Sequence, residues 1–310
     1  MFPSSALDFS FLHSALTSPG GRSVSSSEGN FMSDKTTTPR EIAFRVRRFN
    51  PDTETVPHWD EYKLHVHDGM TVLEALHQLK AEQEPTLAYR SSCRMGVCGS
   101  CGMYINDLPM LACQTQVLHL GTDVVSVAPL PNYPNVKDLV PNLEPLIEKH
   151  AAIKPFIIHA NSKEIDEPTG EFLQTPHERE KISQFTHCIK CGICLAACPT
   201  VATDPLFLGP QALAQAYRYT ADTRDCGLGE RLEAIDVFHG PYQCHLAGAC
   251  SQACPKGVDP AFAIQLMKRT LVLDSIGFGK KESSVAKVSP LADVVTAMEK
   301  MAPPPRTAGK

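Results

Sequence analysis

The sequence predicts an α+β protein in which a small strand-rich module precedes a helical one. Apolar residues alternate in 41–49 and again in 62–68, which predicts two strands that each bury one face. The turn residues between these segments predict that the two strands form a hairpin. After residue 136 the apolar residues recur at helical spacing in four segments: 143–153, 210–222, 229–236 and 260–274.

These patterns divide the chain into four parts. We expect a disordered extension over 1–38, a strand-rich domain over 39–136, a helical domain over 137–278 and a tail over 279–310. Within the strand-rich domain, Thr71 and Glu74 have the spacing of a capping box, which predicts the start of a helix. A cysteine-rich loop over 89–102, a hairpin turning near Asn106 and a last strand over 124–130 follow that helix.

The composition is that of a soluble globular protein with many cysteines. The chain has 310 residues, a net charge of −5 and 12 cysteines. No cluster of basic residues indicates a nucleic-acid partner, and no apolar stretch approaches the roughly 18 residues that cross a bilayer. The N-terminus lacks the basic region of an export signal and contains Asp8, so we expect reduced, metal-bound cysteines in the cytoplasm. A start at Met32 and a weak organelle-targeting signal stay open as alternatives.

The first group of cysteines has the spacing of a plant-type 2Fe–2S ferredoxin loop. Cys93, Cys98 and Cys101 form the sequence C-x4-C-x2-C, and Cys113 follows after eleven intervening residues. Four thiolates complete the tetrahedral coordination of two irons, and glycines among the ligands allow the backbone to wrap closely around a cluster. A structural zinc site is the alternative, although it normally pairs two short cysteine knuckles and this loop has no second one.

Two later runs of cysteines, each followed by proline, predict two further clusters. The first run is C-x2-C-x2-C-x3-C-P, the spacing of bacterial ferredoxins, in which the fourth cysteine of each run binds the other cluster. This crossed pairing predicts a 4Fe–4S cluster with four ligands: Cys188, Cys191, Cys194 and Cys254. The other cluster keeps three ligands: Cys198, Cys244 and Cys250. Zinc is not expected, because the cysteines are too dense to form separated knuckles.

The second run has an alanine where its spacing predicts a cysteine. Ala247 cannot bind iron, and a cubane that lacks one ligand tends to lose the iron at that corner, so we expect a 3Fe–4S cluster. Two alternatives stay open, a 4Fe–4S cluster with a non-cysteine ligand and a labile fourth iron. Cys226 belongs to no run and is expected to be a spectator thiol. His65 and His67 share one strand face, which we expect to be solvated.

The order of these groups resembles the iron–sulfur subunit of the succinate dehydrogenase and fumarate reductase family, in its bacterial form. The resemblance covers about residues 40–275 and rests on six segments in the family's order: SCRMGVCGSCGMYIN, LACQT, CIKCGICLAACP, FLGPQALAQAYRY, TRD and CSQACPKGVDP. It implies a β-grasp ferredoxin fold for the first domain and an all-helical ferredoxin fold for the second.

The resemblance also implies a function and partners. Such subunits carry single electrons between a flavoprotein with covalently bound FAD, where succinate and fumarate interconvert, and a membrane anchor that binds quinone or haem b. The 2Fe–2S cluster lies nearest the flavin and the 3Fe–4S cluster beside the quinone, and no residue of the subunit itself converts substrate. The implied location is the cytoplasmic face of the cell membrane, where the anchor holds the protein peripherally.

One segment departs from the family's pattern. Many members carry a tryptophan of the quinone site after the first run, whereas here Pro199 is followed by Thr-Val-Ala-Thr and the only tryptophan is Trp59. Pro199 and His245 match positions near the quinone and are the candidates for that site. A histidine that merely starts a helix near a cluster sulfur is the alternative for His245. Lys256 follows Pro255 as in the family, which implies a positive charge near the reduced clusters, and an ordinary surface lysine is the alternative.

Two other functions stay open on the sequence alone. An iron–sulfur subunit of a soluble thiol:fumarate or heterodisulfide-linked reductase would share the helical domain but donate electrons to a cysteine-rich partner, which the missing tryptophan allows. The other is a free multi-cluster ferredoxin, although the fusion of two cluster domains favours a fixed place in a complex.

Overall fold

The computed structural model describes residues 40–161, 163–167, 170–278 and 287–288. The predicted extension over 1–38 and nearly all of the predicted tail over 279–310 lie outside the described residues. Within the described part of the chain, no helix is both long enough and apolar enough to cross a membrane.

A five-stranded sheet forms the N-terminal part of the fold. Its strands are β1 (Arg40–Arg48), β2 (His58–Val66), β3 (Gly102–Ile105), β4 (Leu108–Leu111) and β5 (Val124–Ala128). Their order is β2-β1-β5-β3-β4, and β1 and β2 form the predicted antiparallel hairpin with Phe44 opposite Tyr62. β5 lies in the centre of the sheet, parallel to β1 and antiparallel to β3. The last predicted strand therefore completes the middle of the sheet, a placement that its local sequence does not indicate.

The predicted turn between β3 and β4 is confirmed. Asn106 and Asp107 have φ angles of 44° and 63°, the positive values that a two-residue type I′ hairpin requires at both central positions. This turn fixes the register of the short hairpin, in which Gly102 faces Leu111. The open end of the hairpin is consequently where the flanking cysteine segments leave the sheet.

One helix, α1 (Val72–Glu82), packs in the core of this sheet. The Glu74 N–H donates to Thr71 Oγ1 at 3.2 Å and the Thr71 N–H donates to the Glu74 carboxylate at 2.8 Å, which confirms the predicted capping box. The apolar stripe of the helix is buried with the inner face of the strands: Val72, Leu73, Leu76 and Leu79. Full burial of each such large side chain contributes about 1.5–3 kcal/mol to stability.

The rest of the chain is mainly helical. The longer helices are α2 (Glu144–Ala152), α4 (Pro176–Thr186), α7 (Gly209–Ala221), α8 (Leu228–Ile235) and α10 (Pro260–Ser275), and the shorter ones are α3 (Lys163–Asp166), α5 (Ile193–Ala196), α6 (Pro199–Thr203) and α9 (Ala249–Gln252). The four predicted helical segments correspond to α2, α7, α8 and α10. Helix α7 is central, since α2, α4, α8 and α10 all pack against it. Helix α4 was not predicted.

Short pairs of strands connect these elements. β6 (Asn135–Lys137) pairs with β7 (Val140–Pro141), and β8 (Glu171–Phe172) pairs with β9 (Lys287–Val288). The described residues form one compact unit, in which Ile193 and Ala196 of α5 belong to the core of the sheet. The border between 136 and 137 therefore runs through a shared core, and the predicted domain limits stay predictions.

Candidate iron–sulfur sites

The first group of cysteines lies at the open end of the β3–β4 hairpin. The loop that carries Cys93, Cys98 and Cys101 joins α1 to β3, and Cys113 follows β4. Because β3 and β4 pair, the Ala112 N–H donates to the Cys101 carbonyl at 3.0 Å, and the third and fourth predicted ligands are brought together. Cys101 and Cys113 are buried, whereas Cys98 is exposed.

Backbone N–H groups of the loop converge on two of its sulfurs. The Cys93 Sγ accepts from the N–H groups of Val97 and Cys98 at 3.2 Å each, and the Cys98 Sγ accepts from the Ser100 N–H at 3.4 Å. Hydrogen bonding, first from the Ser100 side chain, lowers the pKa of Cys98 to about 6, whereas burial raises the pKa of Cys101 to about 12. The hydrogen bonds thus favour the thiolate form of Cys98, whereas a metal that binds Cys101 would have to displace its proton.

The carboxylate of Asp138 fixes the start of this loop. Asp138 is 1% exposed and accepts hydrogen bonds from Arg48 Nε at 3.0 Å and from the N–H groups of Phe49 at 3.0 Å and Ala88 at 2.8 Å. A buried carboxylate with this many donors is fully compensated and resists displacement. Since Ala88 directly precedes the loop, Asp138 sets the position from which the loop departs.

The first loop is in van der Waals contact with the second group of cysteines. Gly99 has a φ of 76°, and a Cβ added there would lie 2.7 Å from the Cβ of Cys191 and 2.9 Å from its Cα. A Cβ on Gly102 would lie 3.4 Å from the Cys191 carbonyl oxygen. Glycine alone permits this approach at Gly99, so two ligand groups that are separate in the sequence are adjacent in the fold.

The second group surrounds a single cavity. Four of the residues that line it are the predicted 4Fe–4S ligands: Cys188, Cys191, Cys194 and Cys254. Burial raises the pKa of Cys191 to about 11 and raises the pKa of Cys194 well above its usual value, and the neighbouring sulfurs act in the same direction. Four thiolates around one cavity would repel one another, so this donor set fits a cluster with a cationic iron–sulfur core. Lys256 lines the same cavity.

The third group surrounds a second cavity. Its lining includes Cys198, Cys244 and Cys250 together with Ala247. The Leu246 N–H donates to the Cys244 Sγ at 3.4 Å, and burial raises the pKa of Cys250 to about 11. The structure thus places the three remaining predicted ligands around one space and places the alanine beside them.

The two candidates for a quinone site lie next to this cavity. Pro199, the first residue of α6, is exposed and belongs to the lining. His245 is exposed and follows Cys244 directly. Their assignment to a quinone stays a prediction.

The two cysteine runs have the same backbone conformation. Positive φ angles recur at matching positions: 54° at Lys190 and 56° at Leu246, then 81° at Gly192 and 73° at Gly248. The short helices α5 and α9 begin at matching positions too, each directly after its glycine. Ala247 therefore occupies the place in the second run that Cys191 occupies in the first.

Two side chains from the segment after β5 hold the first run in place. Asn132 Nδ2 donates to the carbonyl oxygens of Leu195 at 2.9 Å, Ala196 at 3.1 Å and Cys198 at 3.2 Å. Tyr133 Oη donates to the Gly192 carbonyl at 3.0 Å. Sequence analysis missed both residues, because a side chain that bonds to backbone about 60 residues away leaves no local pattern.

The remaining candidates do not join these groups. Cys226 lines neither cavity, and its N–H donates to the Ile158 carbonyl at 2.8 Å. His65 and His67 are exposed, as expected for a solvated strand face. Among the described residues, no three Cys, His, Asp or Glu side chains converge closely enough to hold a single metal ion. The cysteines surround cavities instead.

Comparison with protein families matches both halves of the chain. A 2Fe-2S iron-sulfur cluster binding domain matches residues 43–148, and a 4Fe-4S dicluster domain matches residues 184–258. The first model spans the four cysteines of the first group, and the second spans both later runs. The α+β fold class, with a strand-rich first part and a helical second part, is thereby confirmed.

Individual relatives match over most of their length. The chain is 43% identical over 226 residues to the fumarate reductase iron-sulfur subunit of Escherichia coli O6:H1, covering 73% of this chain and 91% of that protein. It is 40% identical over 245 residues to the succinate dehydrogenase iron-sulfur subunit of Paracoccus denitrificans, covering 77% of this chain and 93% of that protein. A chain in the solved structure of the Mycobacterium smegmatis Sdh1 complex in the apo form superposes with a TM-score of 0.66 at 28% identity, covering 76% and 97% of the two chains. The chain belongs to the family of fumarate reductase and succinate dehydrogenase iron–sulfur subunits.

Proposed function

We propose that this chain relays single electrons between a FAD-containing flavoprotein and a quinone-binding membrane anchor of a succinate:quinone or quinol:fumarate oxidoreductase. The observation that carries the proposal is the arrangement of the three cysteine groups in one continuous series. The Gly99 contact joins the first group to Cys191, and α5 carries Cys194 and leads to Cys198 of the third group. A series of one-electron carriers is what links a two-electron flavin to a distant quinone.

Each group would hold one cluster. We assign 2Fe–2S to Cys93, Cys98, Cys101 and Cys113, 4Fe–4S to Cys188, Cys191, Cys194 and Cys254, and 3Fe–4S to Cys198, Cys244 and Cys250. When bound, each cluster would accept and release a single electron. The protein's own contribution is to hold the thiolates, enclose Cys194 in the cavity of the second group and donate N–H groups to sulfur in the first loop.

The surface near the third group supports an anchor on that side. Phe238, Tyr242 and Leu246 are exposed apolar side chains in the segment that leads into and through the second run. The three side chains lie within nine residues of one another in the sequence, and clusters of exposed apolar side chains mark interaction surfaces more often than isolated ones do. We infer that the membrane anchor, with its quinone and haem b, binds here, and that the subunit sits peripherally on the cytoplasmic face of the membrane.

The crossed ligand pairing gives the sharpest test. In the complex purified with its partner subunits, Cys254→Ser should alter the 4Fe–4S signal in electron paramagnetic resonance (EPR), although Cys254 lies in the second run. Cys198→Ser should alter the 3Fe–4S signal, although Cys198 lies in the first run. Cys226→Ser is the matched control and should leave all three signals unchanged.

Two results would contradict the proposal. If Cys254→Ser changed only the 3Fe–4S signal, each run would hold its own cluster and the pairing would be wrong. If metal analysis found zinc without iron, the electron-transfer function itself would fall. Copurification with a flavoprotein and a haem-b membrane subunit would support the proposed partners, and a stable solitary holoprotein would contradict them.

A further inference from the structure

A buried glutamine on α7 faces the second group of cysteines. Gln211 is 2% exposed and lines the same cavity as Cys188. Its Nε2 lies 4.0 Å from the Cys188 Sγ, within the longer reach of a sulfur acceptor, and 3.2 Å from Nδ1 of His150. Its Oε1 is buried and has no hydrogen-bond partner among the described residues.

The unpaired oxygen indicates that packing alone does not explain a glutamine at this position. More than about 90% of buried polar groups in folded proteins are hydrogen-bonded, because an unpaired one costs free energy. Gln215, one turn further along α7 and also buried, shows the structural alternative: its Nε2 donates to the Phe185 carbonyl at 2.8 Å. An apolar side chain at position 211 would fill the same space without the unpaired oxygen, so the amide N–H groups are the useful feature.

His150 determines which end of the amide faces the sulfur. Burial, with Lys190 and Arg218 nearby, lowers the pKa of His150, so its imidazole is neutral at neutral pH and Nδ1 can accept a hydrogen bond. By accepting from Nε2, it keeps the NH2 group of Gln211 turned toward Cys188. The reversed amide would set a carbonyl oxygen against a thiolate, which electrostatics disfavours.

We propose that Gln211 raises the reduction potential of the cluster held by Cys188, and that His150 positions its amide for this role. The inference rests on the ligand set proposed above. A hydrogen bond to sulfur stabilises the state with more negative charge, which is the reduced state, and hydrogen bonds to sulfur are among the factors that set cluster potentials. The N–H···S contacts in the first loop come from backbone, whereas this donor is a side chain that a substitution can remove.

The test is a redox titration of the holo complex followed by EPR of the reduced 4Fe–4S cluster. Gln211→Leu and Gln211→Met both keep the side-chain bulk and remove the N–H groups. At the wild-type midpoint potential, we expect the ratio of reduced to oxidised cluster to fall by about three- to tenfold, where tenfold corresponds to about 59 mV for a one-electron couple. His150→Leu should shift the midpoint in the same direction by less, because the amide stays but is no longer held.

Gln215→Leu is the matched control. It removes a buried glutamine from the same helix and should lower thermal stability while leaving the midpoint unchanged. A second measurement is deuterium exchange followed by electron–nuclear double resonance of the reduced cluster. It should detect an exchangeable proton in the wild type that is missing from the Gln211 variants.

The outcomes separate this inference from the proposed function. An unshifted midpoint in the Gln211 variants, or an equal shift in Gln215→Leu, would overturn the inference and leave the relay intact. A wild-type complex without any 4Fe–4S signal would overturn the proposed ligand set itself. If neither Gln211 variant retained the cluster, an unshifted midpoint in His150→Leu would overturn the inference and a shifted one would support it.

Discussion

The two cysteine runs have matching backbones and different side chains, and the difference falls on one ligand position. Both runs turn through two positive φ angles and enter a one-turn helix that carries the next cysteine, Cys194 in the first run and Cys250 in the second. The first run presents Cys191 between its two turns, and the second presents Ala247. The same backbone conformation could therefore hold clusters of different iron content. The backbone sets the position of the ligand, and the side chain at that position determines whether a ligand is present.

The surroundings of the runs differ as well. In the first run, Gly192 is packed under Tyr133 and its neighbouring carbonyls are held by Asn132. In the second, Leu246 and Ala247 are exposed, and the Cys244 carbonyl accepts from Lys268 Nζ at 3.3 Å. The first run is thus enclosed by the sheet-bearing half, while the second faces outward, where a partner can reach the third cluster.

The largest expected effect comes from removing, in the first run, the cysteine that the second run lacks. Cys191→Ala removes one proposed ligand of the 4Fe–4S cluster at the position that matches Ala247. We expect the reduced 4Fe–4S signal to be lost and a second 3Fe–4S-type signal to appear in the oxidised protein. Removing a residue that merely hydrogen-bonds to a metal ligand lowers metal affinity or activity about 10–100-fold. Removing the ligand itself should lower them at least as much.

EPR of the complex and succinate-to-quinone turnover measure that loss. Cys226→Ala is the matched control, since it removes a cysteine that lines neither cavity, and both readouts should stay at the wild-type level. An intact 4Fe–4S signal in Cys191→Ala would break the comparison, because Cys191 would then not be a ligand.

A smaller effect is expected from adding a methyl group to each run at the same backbone position. Alanine at a positive φ costs about 1–2 kcal/mol of stability. Gly248→Ala should cost only this amount, because the new Cβ would meet no described atom within 4 Å. Gly192→Ala should lower stability by about 1–3 kcal/mol more than Gly248→Ala does, because its new Cβ would lie 2.8 Å from Tyr133 Oη and overpack the site. The temperature at which each variant complex loses its cluster absorbance on heating would measure both losses of stability. Equal losses would contradict the claim that only the first run is enclosed.

An effect smaller than that of Gly192→Ala is expected from removing the Asn132 side chain, which holds the first run in place. Asn132→Ala removes three hydrogen bonds to carbonyl groups around α5 and should lower stability by about 1–3 kcal/mol. Since Cys194 and Cys198 flank these carbonyls, the EPR signals of both helical-domain clusters should broaden while the 2Fe–2S signal stays sharp. Asn142→Ala, which removes an amide that bonds Glu144 at the start of α2, is the control. Broadening in that variant too would indicate general destabilisation.

Local features of the fold were predictable from the sequence. The β1–β2 hairpin, the capping box at Thr71 and the turn at Asn106 are each set by residues within a few positions of one another, and all three are confirmed. Helix α4 has the same kind of signal, a capping box formed by Thr175 and Glu178, but it buries only two residues in the core and its apolar pattern is weak. The capping box, rather than the apolar pattern, could have revealed it.

Features that depend on packing across the chain were not predictable. The central position of β5, the contact of Gly99 with Cys191 and the bonds from Asn132 to α5 all join segments that are distant in sequence. The spacing of the cysteines predicted the ligand groups because ferredoxin runs carry their pairing rule within them. No sequence pattern predicts the contact of Gln211 with Cys188, because this contact depends on how α7 packs against the first run.

EPR spectroscopy of Ala247→Cys tests the central claim most directly. This substitution supplies the second run with the cysteine that the first run has at the matching position. We expect the 3Fe–4S signal of the oxidised complex to disappear and a second 4Fe–4S signal to appear on reduction, at a lower potential because a fourth thiolate adds negative charge. An unchanged 3Fe–4S signal in the oxidised Ala247→Cys complex would contradict the equivalence of Ala247 and Cys191.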